Sequence, residues 1–353
     1  MRSTVFAIFV LVLCSCAKEV APVSDVIGWS VDAPAQSDLQ GAKSRALVED
    51  YSNLKEACTQ SPSHDALKIG LFGSCTSDGV REEVFNDVDL WWWAKEDGNP
   101  YGDNEGNASN WNYAGGNRNW KDGAHYTFKA YFPKGEVGLH PSSDAESLMV
   151  MYDAAYEQYD LLVAHKSIPS RKENPVVLQM VHPLSALRFD FTIMEEGGED
   201  RLLACWLENF SQEGLHMSST LNFSSSMVWP QSTPIGEGVQ MYFWRPDEPV
   251  VLGSSYSAPA YSQKAGEQKG ALYTGNGGWI LLIPQQCKGP EHVRFCFITE
   301  RGEGKVYSVG LPAGEFKPGY RYSYNVKVSS ARPEISVKVS DWNRRKSSYG
   351  VDF

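Results

Sequence analysis

No apolar run in this chain reaches the ~20 residues that a membrane-crossing helix needs; the apolar stretch Val5 to Leu13 near its start is too short. Nucleophile elbows, phosphate-binding glycine loops and dinucleotide fingerprints are missing, so no motif supplies a nucleophile with its base. There is no C-x-x-C pair, which removes the support for a thioredoxin-like or zinc-ribbon site. The seven histidines are scattered, and none stands at metal-ligand spacing from another ligand. Basic residues are also in deficit: 32 Lys and Arg against 43 Asp and Glu leave a net charge of −11. That balance argues against a nucleic-acid partner and against adsorption to an anionic membrane. The expectation is a non-enzymatic protein with no cofactor and no metal.

At the amino terminus, Arg2, the apolar stretch and the small-residue site after it have the order of an export signal. In "LCSC", a lipoprotein signal fits if Cys16 is the retained, acylated residue, because Leu13 then stands three positions upstream with Cys14 and Ser15 between. Cys14 would follow Leu13 directly, a poor fit to a cleavage pocket that takes small side chains. A fully acylated Cys16 would anchor firmly where one chain alone would not. Residues 1–15 are thus expected to form the signal peptide and 16–45 a leading segment, in which only "VIGWSVDA" has the pattern of a strand.

Beyond it the dominant pattern is period two, which sends one set of side chains to a core and the other to water. Leu187, Phe189, Phe191 and Ile193 share a face in "ALRFDFTI". Tyr126, Phe128, Ala130 and Phe132 do so in "YTFKAYF", and Tyr322, Tyr324, Val326 and Val328 in "RYSYNVKV". Short Gly, Pro and Asn clusters separate these runs, as an antiparallel sandwich requires. One stretch, "DAESLMVMYDAAYEQY", predicts a short helix capped by Asp144, with Leu148, Met151, Ala155 and Tyr159 on one face. The polar, Pro-containing "SIPSRKENP" marks a domain boundary, giving one unit over 46–170 and a second over 174–353.

Trp91, Trp92 and Trp93 stand in a row, so a strand must turn Trp92 away from its neighbours. Exposed indoles stack on sugar rings, which makes the three candidate glycan contacts; burial of the strand on both faces, or cover by a loop, is the favoured expectation. The acidic loop "EDGNPYGDNEGN" beside them lacks calcium-loop spacing and is read as solvated. Five cysteines remain after Cys16, an odd number. Cys287 and Cys296 flank a turn-like "KGPE", and unpaired burial is preferred to a hairpin disulfide.

Taken in order, "NWKDGAHYTFKAYFP", "YDLLVAH", "VVLQMVHPLSALRFDF", "LPAGEFKPGYRYSYNVKV" and the closing "ISVKVSDWNRRKSSYGVDF" resemble the fimbrillins of the Bacteroidetes, the type V pilins. The resemblance covers most of the chain. It implies an all-β fold of two tandem transthyretin-like β-sandwich domains after a lipoprotein signal peptide. It further implies a surface fimbrium that mediates adhesion, with other pilin subunits joined by strand exchange after a protease cuts behind an arginine. Arg45-Ala46 in "GAKSRALVED" stands at the matching place. The partners so implied are other pilins, the outer membrane through lipid on Cys16, and a host or bacterial surface ligand. A lipid-anchored glycan-binding protein of a carbohydrate uptake system, using the tryptophan strand, is the competing reading.

Overall fold

Alternating apolar and polar residues make strands that must each bury one face, and nearly every described element of the computed structural model is a strand. The structure describes residues 26–33, 51–60, 66–93, 111–136, 138–151, 160–169, 173–193, 200–224, 226, 228–230, 237–244, 250–252, 256–257, 279–328 and 333–341. Among the described residues the helical element is Tyr51–Ala57, of seven residues.

A first sheet runs in the order Thr59–Gln60, Val80–Trp93, Ile69–Ser77, His125–Phe132, Leu162–Ile168, with Trp111–Tyr113 also paired to Val80–Trp93. Its central hairpin turns on Asp78-Gly79, whose φ angles of 53° and 79° are the left-handed pair that lets two residues join strands of right-handed twist. Tyr126, Phe128 and Ala130 point from this sheet into a buried cluster, as their alternation predicts. Against that face lies a parallel two-stranded ribbon, Trp29–Asp32 with Val176–Gln179.

A second pair of sheets encloses another core. One carries Ser185–Ile193 in parallel with Tyr320–Val328, which pairs in turn with Glu334–Asp341. The other carries Asp200–Asn209 against Val293–Thr299, followed by Val306–Gly310. Phe189 of the first stacks on Phe295 of the second at 3.9 Å with the ring planes nearly parallel, and Leu187, Phe191, Tyr322, Tyr324 and Val326 complete the same face.

A third buried cluster joins the two. It combines Phe72, Tyr131, Leu148, Val150 and Val163 with Leu184, Leu221, Phe223, Trp279 and Leu281. A three-stranded sheet crosses the same border, because Ser218–Asn222 pairs with Ser147–Met151, which pairs with Leu139–Pro141. Val176, Leu178 and Met180 pack in the first cluster although they follow the polar "SIPSRKENP", so this stretch connects two strands of one cluster.

The helix expected from Asp144 onward is not formed within its described part: residues 147–151 are a strand. Leu148 and Val150 are buried while Met149 between them is 40% exposed, a period of two inside a segment whose longer spacing resembles 3.6. Asp144 caps a turn instead, accepting the Ser142 hydroxyl at 2.6 Å and the Glu146 amide at 3.1 Å.

Candidate functional site: the seat of the leading strand

The segment that sequence singles out for removal contributes buried side chains to the first core. Period two places Ile27, Trp29, Val31 and Ala33 inward, each 4% exposed or less, and leaves Ser30 and Asp32 half-buried on the outer face. Trp29 is wholly buried, edge-on to Phe128 at 4.9 Å and to Phe85 at 5.5 Å. Main-chain bonds hold the strand along its length. Val176 N donates to Gly28 O at 2.7 Å and Met180 N to Asp32 O at 2.8 Å, while Ile27 N donates to Arg118 O at 2.8 Å. Asn174 acts as a clip at the entrance: its Oδ1 accepts from Gly28 N and its Nδ2 donates to Val26 O, both at 2.9 Å. Taking this strand away would leave an apolar channel in the core and a row of unpaired groups along Val176–Gln179.

A second segment has the opposite character. Glu334–Asp341 is the terminal strand of its sheet and pairs with Tyr320–Val328 alone among the described strands. Apart from the half-buried Ile335 it is exposed on both faces, with Val337 at 42% and Val339 at 50%. Its alternating apolar residues therefore contribute little to the core of the sheet that carries it.

Cys16, Arg45 and Ala46 lie outside the described residues, as does the acidic loop over 96–107. Trp91 and Trp93 are buried. Trp92 is half-buried, with the Lys55 ammonium over its ring at 4.1 Å and Trp111 edge-on at 5.7 Å. Trp91 and Trp93 thus face protein, while Trp92 keeps part of its surface open. Cys287 belongs to the second core and Cys296 to a small cluster on the outer side of its own strand with Ala204 and Trp206; both are free thiols. Burial pushes the thiols of Cys58 and Cys205 far up, and burial plus the Glu208 carboxylate pushes Cys296 up to about 12, so these thiols stay protonated and unreactive at neutral pH. Among the described residues no three His, Cys, Asp or Glu side chains converge as metal ligands would.

What sequence reasoning missed is the partner of the leading strand. Val176–Gln179 sits inside a run read as part of the second unit, and nothing local marks it for parallel pairing with a strand some 150 residues earlier.

The sequence matches the model of the fimbrillin-like family over residues 64–342. The chain belongs to that family. Among solved structures, this fimbrillin-like chain is similar to a fimbrial protein from Bacteroides vulgatus, with 14% identity, a TM-score of 0.57, and 90% of this chain and 99% of the other covered. It also aligns with the tip fimbrial protein of Porphyromonas gingivalis, with 13% identity, a TM-score of 0.30, and coverage of 79% and 95%. The first likeness shows a shared fold; the second is too distant to add to it. No curated protein matches the sequence.

Proposed function

We propose that this fimbrillin-like chain is a structural subunit or adhesin of a surface fimbrium, exported as a lipoprotein through Cys16 and assembled by strand exchange. In this reading two β-sandwiches carry it, one around each of the first two clusters, with the third cluster between them. The observation that carries the reading is the seat of Trp29–Asp32. A leading segment that supplies Ile27, Trp29 and Val31 to a core continues into the body through the chain 34–50, and this covalent connection contains Arg45. Cutting after Arg45 would separate that strand from the body while leaving its groove and its hydrogen-bonding edge for another chain to fill by β-augmentation. Glu334–Asp341 is an edge strand that buries little of its own surface, which makes it the donor in this scheme.

The test is treatment of the purified precursor with an arginine-specific protease. Sequencing should show Ala46 as the new terminus, and SDS-resistant ladders should then form. Deleting Glu334 onward should abolish the ladders without preventing the cut. If Ala46 never appears as a terminus, or if cut chains stay monomeric alone and with partner pilins, the scheme is wrong. For the anchor, Cys16→Ala should move the precursor from the detergent phase to the aqueous phase, while Cys14→Ala should not.

A further inference from the structure

Away from the strand seat, a cavity of about 490 Å3 opens beside the border between the two main cores. Its size lies within the ~300–1,000 Å3 typical of small-molecule sites. Its walls include Gln212, Glu213, His216, Trp229, Gln286 and Glu315, drawn from the loop after Asp200–Asn209, the segment after Ser218–Asn222 and the ribbon Gln285–Cys287 with Gly314–Phe316.

The loop wall is built rather than loosely laid. Asn209, wholly buried, accepts from Leu215 N at 2.8 Å and donates to Leu215 O at 3.1 Å. Gln285 repeats the device on the next residue, accepting from His216 N at 2.7 Å and donating to His216 O at 3.0 Å. Gly214 makes the first clamp possible, since a Cβ there would lie 2.1 Å from the Asn209 amide carbon. Two side-chain amides thus hold one short loop at a set distance from Trp229. Trp229 is itself fixed by its indole N–H, which donates to Pro183 O at 3.0 Å, and it remains only half-buried. A wall fixed in advance lowers the ordering cost of binding.

The chemistry of the lining narrows the ligand. A partly open indole offers an apolar plane, while Gln212, Gln286, Glu213 and Glu315 offer amide donors and acceptors beside carboxylate acceptors. A pyranose ring presents that combination, with an apolar C–H face and a rim of hydroxyls that donate and accept. Glu213 is paired with Lys288 at 3.0 Å, which holds its carboxyl below the ordinary range and keeps it an acceptor. Each lining carboxylate has its own ammonium, Lys288 at 3.0 Å from Glu213 and Lys317 at 3.9 Å from Glu315, so the rim offers no unpaired cation to an acidic sugar, and the chain's net charge of −11 disfavours one further. We propose that this cavity binds a neutral pyranose at the end of a surface glycan, stacked on Trp229. The proposal does not rest on strand exchange, because the uncut monomer already contains the whole cavity.

The test uses uncut full-length protein and saturation-transfer NMR with methyl galactoside, methyl mannoside, methyl glucoside and methyl N-acetylglucosaminide, with N-acetylneuraminic acid as the acidic comparison. A printed array with mammalian glycans in one arm and bacterial polysaccharides in the other reads the source. Transfer to the ring C–H protons of at least one neutral glycoside, weakened at least tenfold in Trp229→Ala, is expected. The exposed pair Gln286→Ala and Glu315→Gln, which touches no core, should weaken binding at least threefold with unchanged thermal unfolding, and it decides the matter if Trp229→Ala does not fold. Absence of binding to every probe and in both array arms, preference for the acidic sugar, or full binding by the exposed double variant would overturn the proposal. None of these outcomes bears on whether Arg45 is cut.

Discussion

Replacing Trp29 by Ala asks whether the leading strand is core or merely laid on the surface. The indole is wholly enclosed and touches Phe85 and Phe128 edge-on. Truncating a buried aromatic of this size costs about 3–5 kcal/mol, because the transfer free energy is lost and the cavity collapses only in part. Against a typical stability of ~5–15 kcal/mol this is a large share. Ser30→Ala, one position along the same strand but on its half-buried outer face, should stay within about 0.5 kcal/mol. Urea unfolding of the uncut chain, followed by circular dichroism, measures both; the midpoint should fall for Trp29→Ala with little change in slope. Equal, small effects of the two substitutions would refute the reasoning, since they would mean that Trp29 adds nothing to the core. The expected result also bears on assembly, because a replacing strand that brings only Ile335, Val337 and Val339 would leave part of the Trp29 space unfilled.

Two further tests probe the sheet beneath. His165 lies opposite Lys129 on the neighbouring strand, and burial, aided by the Lys129 charge, holds its imidazole below its ordinary value of 6.5. As pH falls through that value the unfolded chain takes up the proton first, so stability should fall towards mildly acidic pH until the folded value is passed; His165→Gln should flatten this part of a urea-midpoint profile, and an unchanged slope would remove His165 as the cause. Gly70→Ala would put a Cβ 2.1 Å from the Tyr131 ring and 2.8 Å from Asp87 Oδ1, and should cost about 1–3 kcal/mol by overpacking. Gly314→Ala, with no atom within 4 Å and no left-handed backbone, is the comparison and should be near neutral in the same assay.

The inward faces of Phe128, Phe189 and Tyr324 were legible in the chain because side-chain direction in a strand is set by the residue itself and its immediate neighbours. The proposed lipidation and cleavage residues rest on another kind of signal: a signal peptidase or a protease reads a short extended peptide, so Cys16 and Arg45 are nominated by the residues beside them and lie outside the described residues. Pairing is not local in this sense. That Trp29–Asp32 lies parallel to Val176–Gln179 depends on which edge of the first core remains open once the other strands have paired. Leu148 and Val150 became strand because Ser218–Asn222 and Leu139–Pro141 offered edges on either side, overriding a helical spacing that no isolated segment could test. Trp91 and Trp93 were taken from solvent by neighbours distant in sequence, and Trp229 was left half-open by the same kind of accident of packing. The cavity beside Trp229 needs segments drawn from between Gln212 and Pro318, and the Gln285 amide that helps to hold it grips His216 in a segment 69 residues away, so only the folded chain assembles it.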